Sequence, residues 1–517
     1  MLLLLTSFTG KADQRKPALS GSHPQVTGVV MTADGTVQGV LTADGKVCVY
    51  AGIPFSAPPI GDLRWREPQP VKPWVEVLKA DHFGPVAMQP RLPLFIENCI
   101  AKKMGQPKKK YQETMSEDCL YLNVWAPADS TRKNYPVLVY FHGGSLRSGS
   151  GSEPLFSGEE AARSGGVVMV SANYRLGAFG YLALPELNEE SGHGSGNYGL
   201  LDQIAALRWV QKNIAAFGGD PNRVTIAGES AGSQSVSALC ASPLAKGLFH
   251  GAIGESAKFA APSLASDLFT QHKADSIGRL FMKEHKAATP ADLRRMPADK
   301  LMKHELKEVS IVVNGYALPR PVYDIYADGE QNDVPLLVGY NANEGIFFAL
   351  ALNPTPKEYP QLLAKTFGAK ADKVQALFPA ETKEQAKAAV EHITGIYAIG
   401  WPTREWAKVQ TRTGRQPAYL YYFSWGKDSG LRATHGTEMV YAYYCPDAQG
   451  HWTDADREFS RKMFTYWMNF VKTGKPSGGG LPEWKAFAEA PDETMELGEH
   501  FGMTEEPNLE LMMVMEE

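Results

Sequence analysis

Gly228-Glu229-Ser230-Ala231-Gly232 constrains this chain more than any other stretch. It follows the apolar run Val224-Thr225-Ile226-Ala227 and precedes a helix-compatible run from Gly232 to Leu239, so the sequence reads strand, five-residue turn, helix. A helix that folds straight back onto its strand leaves no room for a Cβ two residues either side of the turn's apex, which accounts for the two glycines. The serine between them is then held in a strained backbone conformation above the strand end, as in a nucleophile elbow. In a chain with 49 glycines a G-x-S-x-G also arises by chance in a plain Gly/Ser turn, so the motif alone leaves both readings open.

The remaining parts of an acyl-transfer site occur in a fixed chain order. Upstream, Val137-Leu138-Val139-Tyr140-Phe141 reads as a buried parallel strand and ends in His142-Gly143-Gly144-Ser145, a loop able to aim successive backbone N–H groups at one point. Downstream, Val334 to Tyr340 reads as another strand that opens into Asn341-Ala342-Asn343-Glu344-Gly345, which sets Glu344 just past a strand end. Ala418 to Phe423 is a further apolar run, followed by a loop carrying His435-Gly436-Thr437-Glu438. Serine, acid, histidine is the order of α/β-hydrolases, unlike those of chymotrypsin or subtilisin. Taken singly, Glu344 is a solvated turn residue and His435 one of 12 histidines; it is their ordering with Ser230 that makes coincidence improbable.

With these residues in view the chain resembles the type B carboxylesterases, the group of para-nitrobenzyl esterases, animal carboxylesterases, cholinesterases and the non-catalytic neuroligins. The resemblance is carried by Ala51 to Pro59 with Leu63-Arg64-Trp65, by Ser116-Glu117-Asp118-Cys119-Leu120-Tyr121-Leu122-Asn123-Val124, and by Asn173-Tyr174-Arg175-Leu176-Gly177. Gly196 to Gln203 and Phe217-Gly218-Gly219-Asp220-Pro221 continue it. It implies an α/β-hydrolase fold, a large, mostly parallel twisted central sheet with helices on both faces and helical insertions over the active site. It also implies that Ser230 is the nucleophile, His435 the general base, and Glu344 the carboxylate that orients the imidazole. Gly144, Ser145 and Ala231 map to the oxyanion hole, and Glu229, Ser256 and Glu438 to positions that back the triad. The chemistry needs no metal and no organic cofactor, because a neutral histidine is enough to activate a serine hydroxyl.

Two departures bear on the substrate. The family's His-Gly-Gly-Gly-Phe reads His142-Gly143-Gly144-Ser145-Leu146 here, and its Gln- or Glu-Ser-Gly reads Glu255-Ser256-Ala257. Cholinesterases hold their cation against a tryptophan before the Ser-Glu-Asp-Cys motif, yet residues 86–115 contain none and carry Lys102, Lys103 and Lys108-Lys109-Lys110. Choline esters are therefore not expected as preferred substrates. Many relatives pair a cysteine after Phe-Gly-Pro with the one matching Cys119; here Phe83-Gly84-Pro85 runs on to Val86-Ala87-Met88, with Cys99 as the substitute candidate.

Length alone would suit about three domains, but one family pattern runs nearly end to end. The expected division is a tail over 1–24, one domain over 25–505, and a C-terminal tail over 506–517. Stretches 259–310 and 350–415 are rich in Lys, Ala, Glu and Leu and read as helical insertions; Lys300 to Val309 reads as a solvated segment. A net charge of −5 calls for no nucleic-acid partner, and no apolar stretch reaches the length of a membrane span. Leu2 to Leu5 resemble the end of a signal peptide without its basic start, which tips the expectation toward a secreted or periplasmic protein over a cytoplasmic one. Three function classes follow: a serine carboxylesterase acting on a small-molecule ester, a lipase-like or polymer esterase, and a neuroligin-like binding protein. The intact Ser230, Glu344 and His435 weigh against the last. Oligomeric state is not legible.

Overall fold

Apolar runs separated in sequence by helical stretches line up side by side in the centre of one sheet. The computed structural model describes residues 25–103, 108–109, 112–129, 131–257, 259, 269–428, 432–448 and 452–517. In it the strands Val168–Ala172, Tyr135–Phe141, Gly219–Glu229, Gly251–Glu255, Leu336–Asn341, Ala418–Phe423 and Glu493–Leu497 pair in that order, every pair parallel. Antiparallel strands extend both flanks, from the edge strand Val26–Met31 on one side to Phe501–Glu505 on the other. Residues 1–24, Leu2 to Leu5 among them, and Lys110 lie outside the described residues.

The central strands are buried along their whole length because helices cover both faces. Strand alternation divides Tyr135–Phe141 between two cores. Val137, Val139 and Phe141 pack with Ile204, Leu207 and Val210 of the helix Tyr198–Asn213 and with Val236 and Leu239 of the helix Ala231–Ala241. Leu138 and Tyr140 pack with Phe459, Met463 and Trp467 of the helix Asp454–Thr473. Leu201, Ile204, Leu207, Val210, Ile214 and Phe217, spaced for one helix face, are all buried. The chain tightens into a 3-10 turn at Ile214–Phe217 and stops at Gly218, where φ of 85° suits only glycine without strain.

Both predicted insertions are helical where described. The first contains Gln271–Glu284, Pro290–Arg295 and Ala298–Leu301; Thr270 and Thr289 cap the first two of these by accepting from backbone N–H groups. The second contains Tyr359–Phe367, Ala371–Leu377, Lys383–Gly395 and Trp401–Thr413, the last two joined by one π-helical stretch at Ile396–Gly400. The segment read as solvated, 300–309, is anchored: its charged side chains are exposed, but Leu301 and Leu306 are buried. The end of the chain also departs from the reading. Residues 506–517 were expected as a tail, yet Leu509–Glu516 is a helix whose Leu511, Met512 and Met515 pack with Tyr340 and Ile396. The apolar spacing i, i+1, i+4 gives that short helix a face to bury. No helix among the described residues is long and apolar enough to cross a membrane.

Candidate active site

Parallel pairing sets the carboxyl ends of the central strands along one edge, where an α/β sheet presents its chemistry. Phe141 pairs with Gly228, Glu229 with Glu255, and Asn341 with Phe423, so the loops that follow these residues emerge side by side.

Ser230 stands at the turn between its strand and the helix Ala231–Ala241, at φ 56° and ψ −120°. Its N–H donates to the Glu255 carbonyl at 3.0 Å, which anchors the turn. The flanking glycines are required by space. A Cβ on Gly228 would stand 2.5 Å from the Gly232 carbonyl carbon, and one on Gly232 would run into the Phe141 carbonyl oxygen.

Glu344 is buried. Its Oε1 accepts from the Asn341 N–H at 2.8 Å and from the Ser256 hydroxyl at 2.7 Å, while Oε2 receives His435 Nδ1 at 2.6 Å. The histidine loop is tied to the acid loop independently, by Asn343 N–H to the Ala433 carbonyl at 2.8 Å and by Asn341 Nδ2 to the Thr434 carbonyl at 2.8 Å. Bonding at Nδ1 leaves Nε2 as the atom that can exchange a proton. That nitrogen faces the elbow, 3.2 Å from Oε1 of Glu229, the residue before Ser230. This is an ion-pair distance only, since Glu229 Oε1 has no hydrogen-bond partner among the described residues.

Four carboxyl groups crowd this spot. Burial pulls the His435 imidazole toward neutrality, but the Glu229 and Glu344 carboxylates outweigh it and hold its pKa well above the usual histidine value. Burial pushes Glu229 up, as it does Glu255, which Trp467 Nε1 and the Tyr443 hydroxyl bind at 2.8 and 3.2 Å. Glu438 is raised by burial and then by Glu229 and Glu344. Its Oε1 lies 3.0 Å from Ser256 Oγ, and its Oε2 accepts from Asn341 Nδ2. The Ser256 hydroxyl has one proton for two carboxyl neighbours. It lies within hydrogen-bonding distance of both Glu344 Oε1 and Glu438 Oε1 and so ties the two glutamates together.

The loop after Tyr135–Phe141 carries four left-handed residues, Gly144, Ser145, Leu146 and Gly149, at φ 98°, 57°, 58° and 109°. Ser145 occupies a conformation that glycine would adopt without strain. Among the described hydrogen bonds the N–H groups of Gly144, Ser145 and Ala231 donate to nothing, which leaves them available to a ligand oxygen. Buried His142 stacks on Tyr174 at 4.4 Å, and the Tyr174 hydroxyl donates to the His142 carbonyl at 2.7 Å. Burial lowers the His142 pKa to about 4, so this ring is neutral.

Other contacts of the site join residues that no motif links. The ring of Phe348 meets His435 edge-on at 5.1 Å and is 45% exposed. Its place, four residues after the acid at the end of the short helix Gly345–Phe348, is the clue that could have found it. The candidate pairing of Cys99 with Cys119 is not formed, since both thiols are free, Cys99 exposed and Cys119 buried. Lys108 and Lys109 are exposed, with Lys109 3.6 Å from Glu97.

The family model of the carboxylesterase family matches residues 26–512. The chain is 35% identical over 505 residues to a fumonisin B1 esterase of Sphingopyxis macrogoltabida, covering 92% of this chain and 87% of that protein. It is 34% identical over 514 residues to a para-nitrobenzyl esterase of Bacillus subtilis (strain 168), covering 93% and 97%. A solved PNB esterase superposes with a TM-score of 0.78 at 32% identity, covering 94% of this chain and 99% of that one.

Proposed function

The chain belongs to the carboxylesterase family and is a serine carboxylesterase of the α/β-hydrolase fold, and from that premise we propose that Ser230, His435 and Glu344 are its catalytic triad. The observation that carries the reading is the 2.6 Å contact of His435 Nδ1 with buried Glu344, which leaves Nε2 free on the side of the elbow, 3.2 Å from Glu229, the residue before the strained Ser230. Neutral His435 accepts the Ser230 proton as Oγ attacks the ester carbonyl. The oxyanion that forms takes hydrogen bonds from the N–H groups of Gly144, Ser145 and Ala231. The imidazolium, steadied by Glu344, then protonates the departing alcohol. Water activated by the same histidine releases the acid from the acyl-serine.

Residues 25–505 serve this chemistry as one domain, a reading supported by the continuous sheet from Val26–Met31 to Phe501–Glu505. The substrates are small to medium neutral esters. The half-exposed Phe348 ring beside His435 offers an apolar wall to an ester group, and the stretch 86–115 has no tryptophan to hold a quaternary ammonium.

The test is labelling and substitution at Ser230. A fluorophosphonate should label the protein one to one, and Ser230→Ala should abolish labelling and lower kcat by at least about 10⁴-fold with an unchanged fold. An alanine variant that kept a tenth of the activity on p-nitrophenyl esters would remove Ser230 from the mechanism. A p-nitrophenyl ester panel of rising acyl length, run beside a choline ester and its neutral isostere, tests the substrate class.

A further inference from the structure

The backbone that carries the oxyanion donors has no intrinsic reason to keep its shape. Ser145 and Leu146 both sit in the left-handed region, at φ 57° and 58°, a conformation that a side chain disfavours and that persists only where the surroundings enforce it. Most of the enforcing bonds come from the loop itself and from segments around the sheet edge. The N–H groups of Arg147 and Ser148 both donate to the Gly144 carbonyl at 3.0 Å, and Gly177 N–H donates to the Leu146 carbonyl at 2.8 Å. Gln89 pairs with both backbone groups of Gly149, at 2.9 and 3.1 Å.

Arg147 reaches the other way, to the first helical insertion. Its Nη1 donates to Glu305 Oε2 and its Nη2 to the Leu306 carbonyl, each at 2.9 Å. The far end of this fork is firm because Leu306 and nearby Leu301 are buried in one cluster with Phe179 and Leu182. The guanidinium spans a gap: a cavity of about 20 Å³ lies here, lined among others by Arg147, Leu176, Phe179, His304 and Leu306. Two parallel N–H bonds from a planar group fix direction as well as distance, which a single lysine ammonium could not do.

We propose that Arg147 is a positioning residue for the oxyanion loop, holding Ser145 and Leu146 in their left-handed conformation by anchoring the loop to Glu305 and Leu306 of the insertion. This rests on the assignment of Gly144 and Ser145 as oxyanion donors. It makes the insertion part of the catalytic frame as well as a cover.

The experiment compares wild type with Arg147→Gln, Arg147→Lys and Glu305→Gln. Three quantities are measured: amide hydrogen exchange over residues 143–149, kcat and KM on a p-nitrophenyl ester, and affinity for an aryl trifluoromethyl ketone, whose carbonyl carbon takes the Ser230 Oγ to give a hemiketal with its oxyanion at the donors. Arg147→Gln should speed exchange and lower kcat about 10- to 100-fold, less than or comparable to the loss of one whole donor, with KM nearly unchanged and ketone affinity falling in step with kcat. Arg147→Lys should recover part of the rate. Glu305→Gln, at an exposed residue that does not threaten folding, should give a smaller effect of the same sign through the remaining Leu306 bond. Unchanged exchange in Arg147→Gln and Glu305→Gln would overturn the tether, whatever happened to kcat. Faster exchange with unchanged kcat and ketone affinity would instead overturn the donor assignment beneath it.

Discussion

A histidine flanked by two carboxylates is a poor base until one of them yields. Glu344 bonds Nδ1 at 2.6 Å, and Glu229 stands 3.2 Å from Nε2, the atom that takes the serine proton in the proposed triad. Glu438 adds a further, weaker influence of the same sign. Negative neighbours favour imidazolium, so the acid limb of kcat/KM should lie above the ~6.5 of a free histidine, activity rising as pH rises and His435 becomes neutral. Glu229→Gln removes the carboxylate on the reactive side and should move that limb down by roughly one pH unit, equivalent to about 1.4 kcal/mol. A pH profile of kcat/KM on a p-nitrophenyl ester checks this. A limb that stayed in place or moved up would mean that Glu229 does not set the proton affinity of Nε2. Glu344→Gln differs in kind: the imidazolium loses its buried partner, and kcat should fall by about 10³–10⁴-fold without a compensating shift.

At the scale of elements, the acid is positioned by glycines packed against each other. The turn carrying Glu344 rests on the helix Lys383–Gly395, where a Cβ on Gly395 would stand 2.6 Å from the Gly345 nitrogen and 3.0 Å from Glu344 Cβ. A Cβ on Gly345 would collide with the Glu391 carbonyl. Gly395→Ala should gain a little helix propensity, about 0.5–1 kcal/mol, and lose more by pushing the acid turn away from the helix, a net cost of about 1–3 kcal/mol. Because a displacement near 1 Å can cost about 10²-fold in rate, kcat should fall roughly 10- to 100-fold with a modest drop in thermal midpoint. Wild-type kcat in a folded Gly395→Ala variant would show that the turn holds its position without this contact. The two-glycine elbow around Ser230 follows the same logic with less freedom, since its neighbours are backbone atoms of the turn itself and of Phe141 and His142 on the adjacent strand end.

At the scale of the whole molecule, the last residues close the fold behind the acid strand. The Tyr340 hydroxyl bonds Glu506, Asn508 Nδ2 donates to that hydroxyl at 2.9 Å, and His392 Nε2 meets Asn508 Oδ1 at 2.8 Å. Deleting residues 509–517 removes three buried side chains, Leu511, Met512 and Met515, each worth about 1.5–3 kcal/mol. The apparent thermal midpoint should fall by several degrees, and thermal inactivation should quicken, with kcat nearly unchanged for enzyme that remains folded; a midpoint equal to wild type would make this helix an ornament of the surface. That helix was not legible because its apolar spacing runs for barely two turns, too short to stand out in the sequence. What the sequence determined by itself is whatever local geometry dictates residue by residue. Continuous apolar runs became buried parallel strands, two glycines marked a turn too tight for side chains, and strand ends gave the order of Ser230, Glu344 and His435. What the tertiary structure alone decided is what distant segments do to one another: Glu229 3.2 Å from Nε2 of His435, the Ser256 hydroxyl between two glutamates, Gly345 against Gly395, and Arg147 forked onto Glu305 and Leu306. These depend on separations of a few ångströms between residues tens to hundreds of positions apart, and no spacing along the chain encodes them.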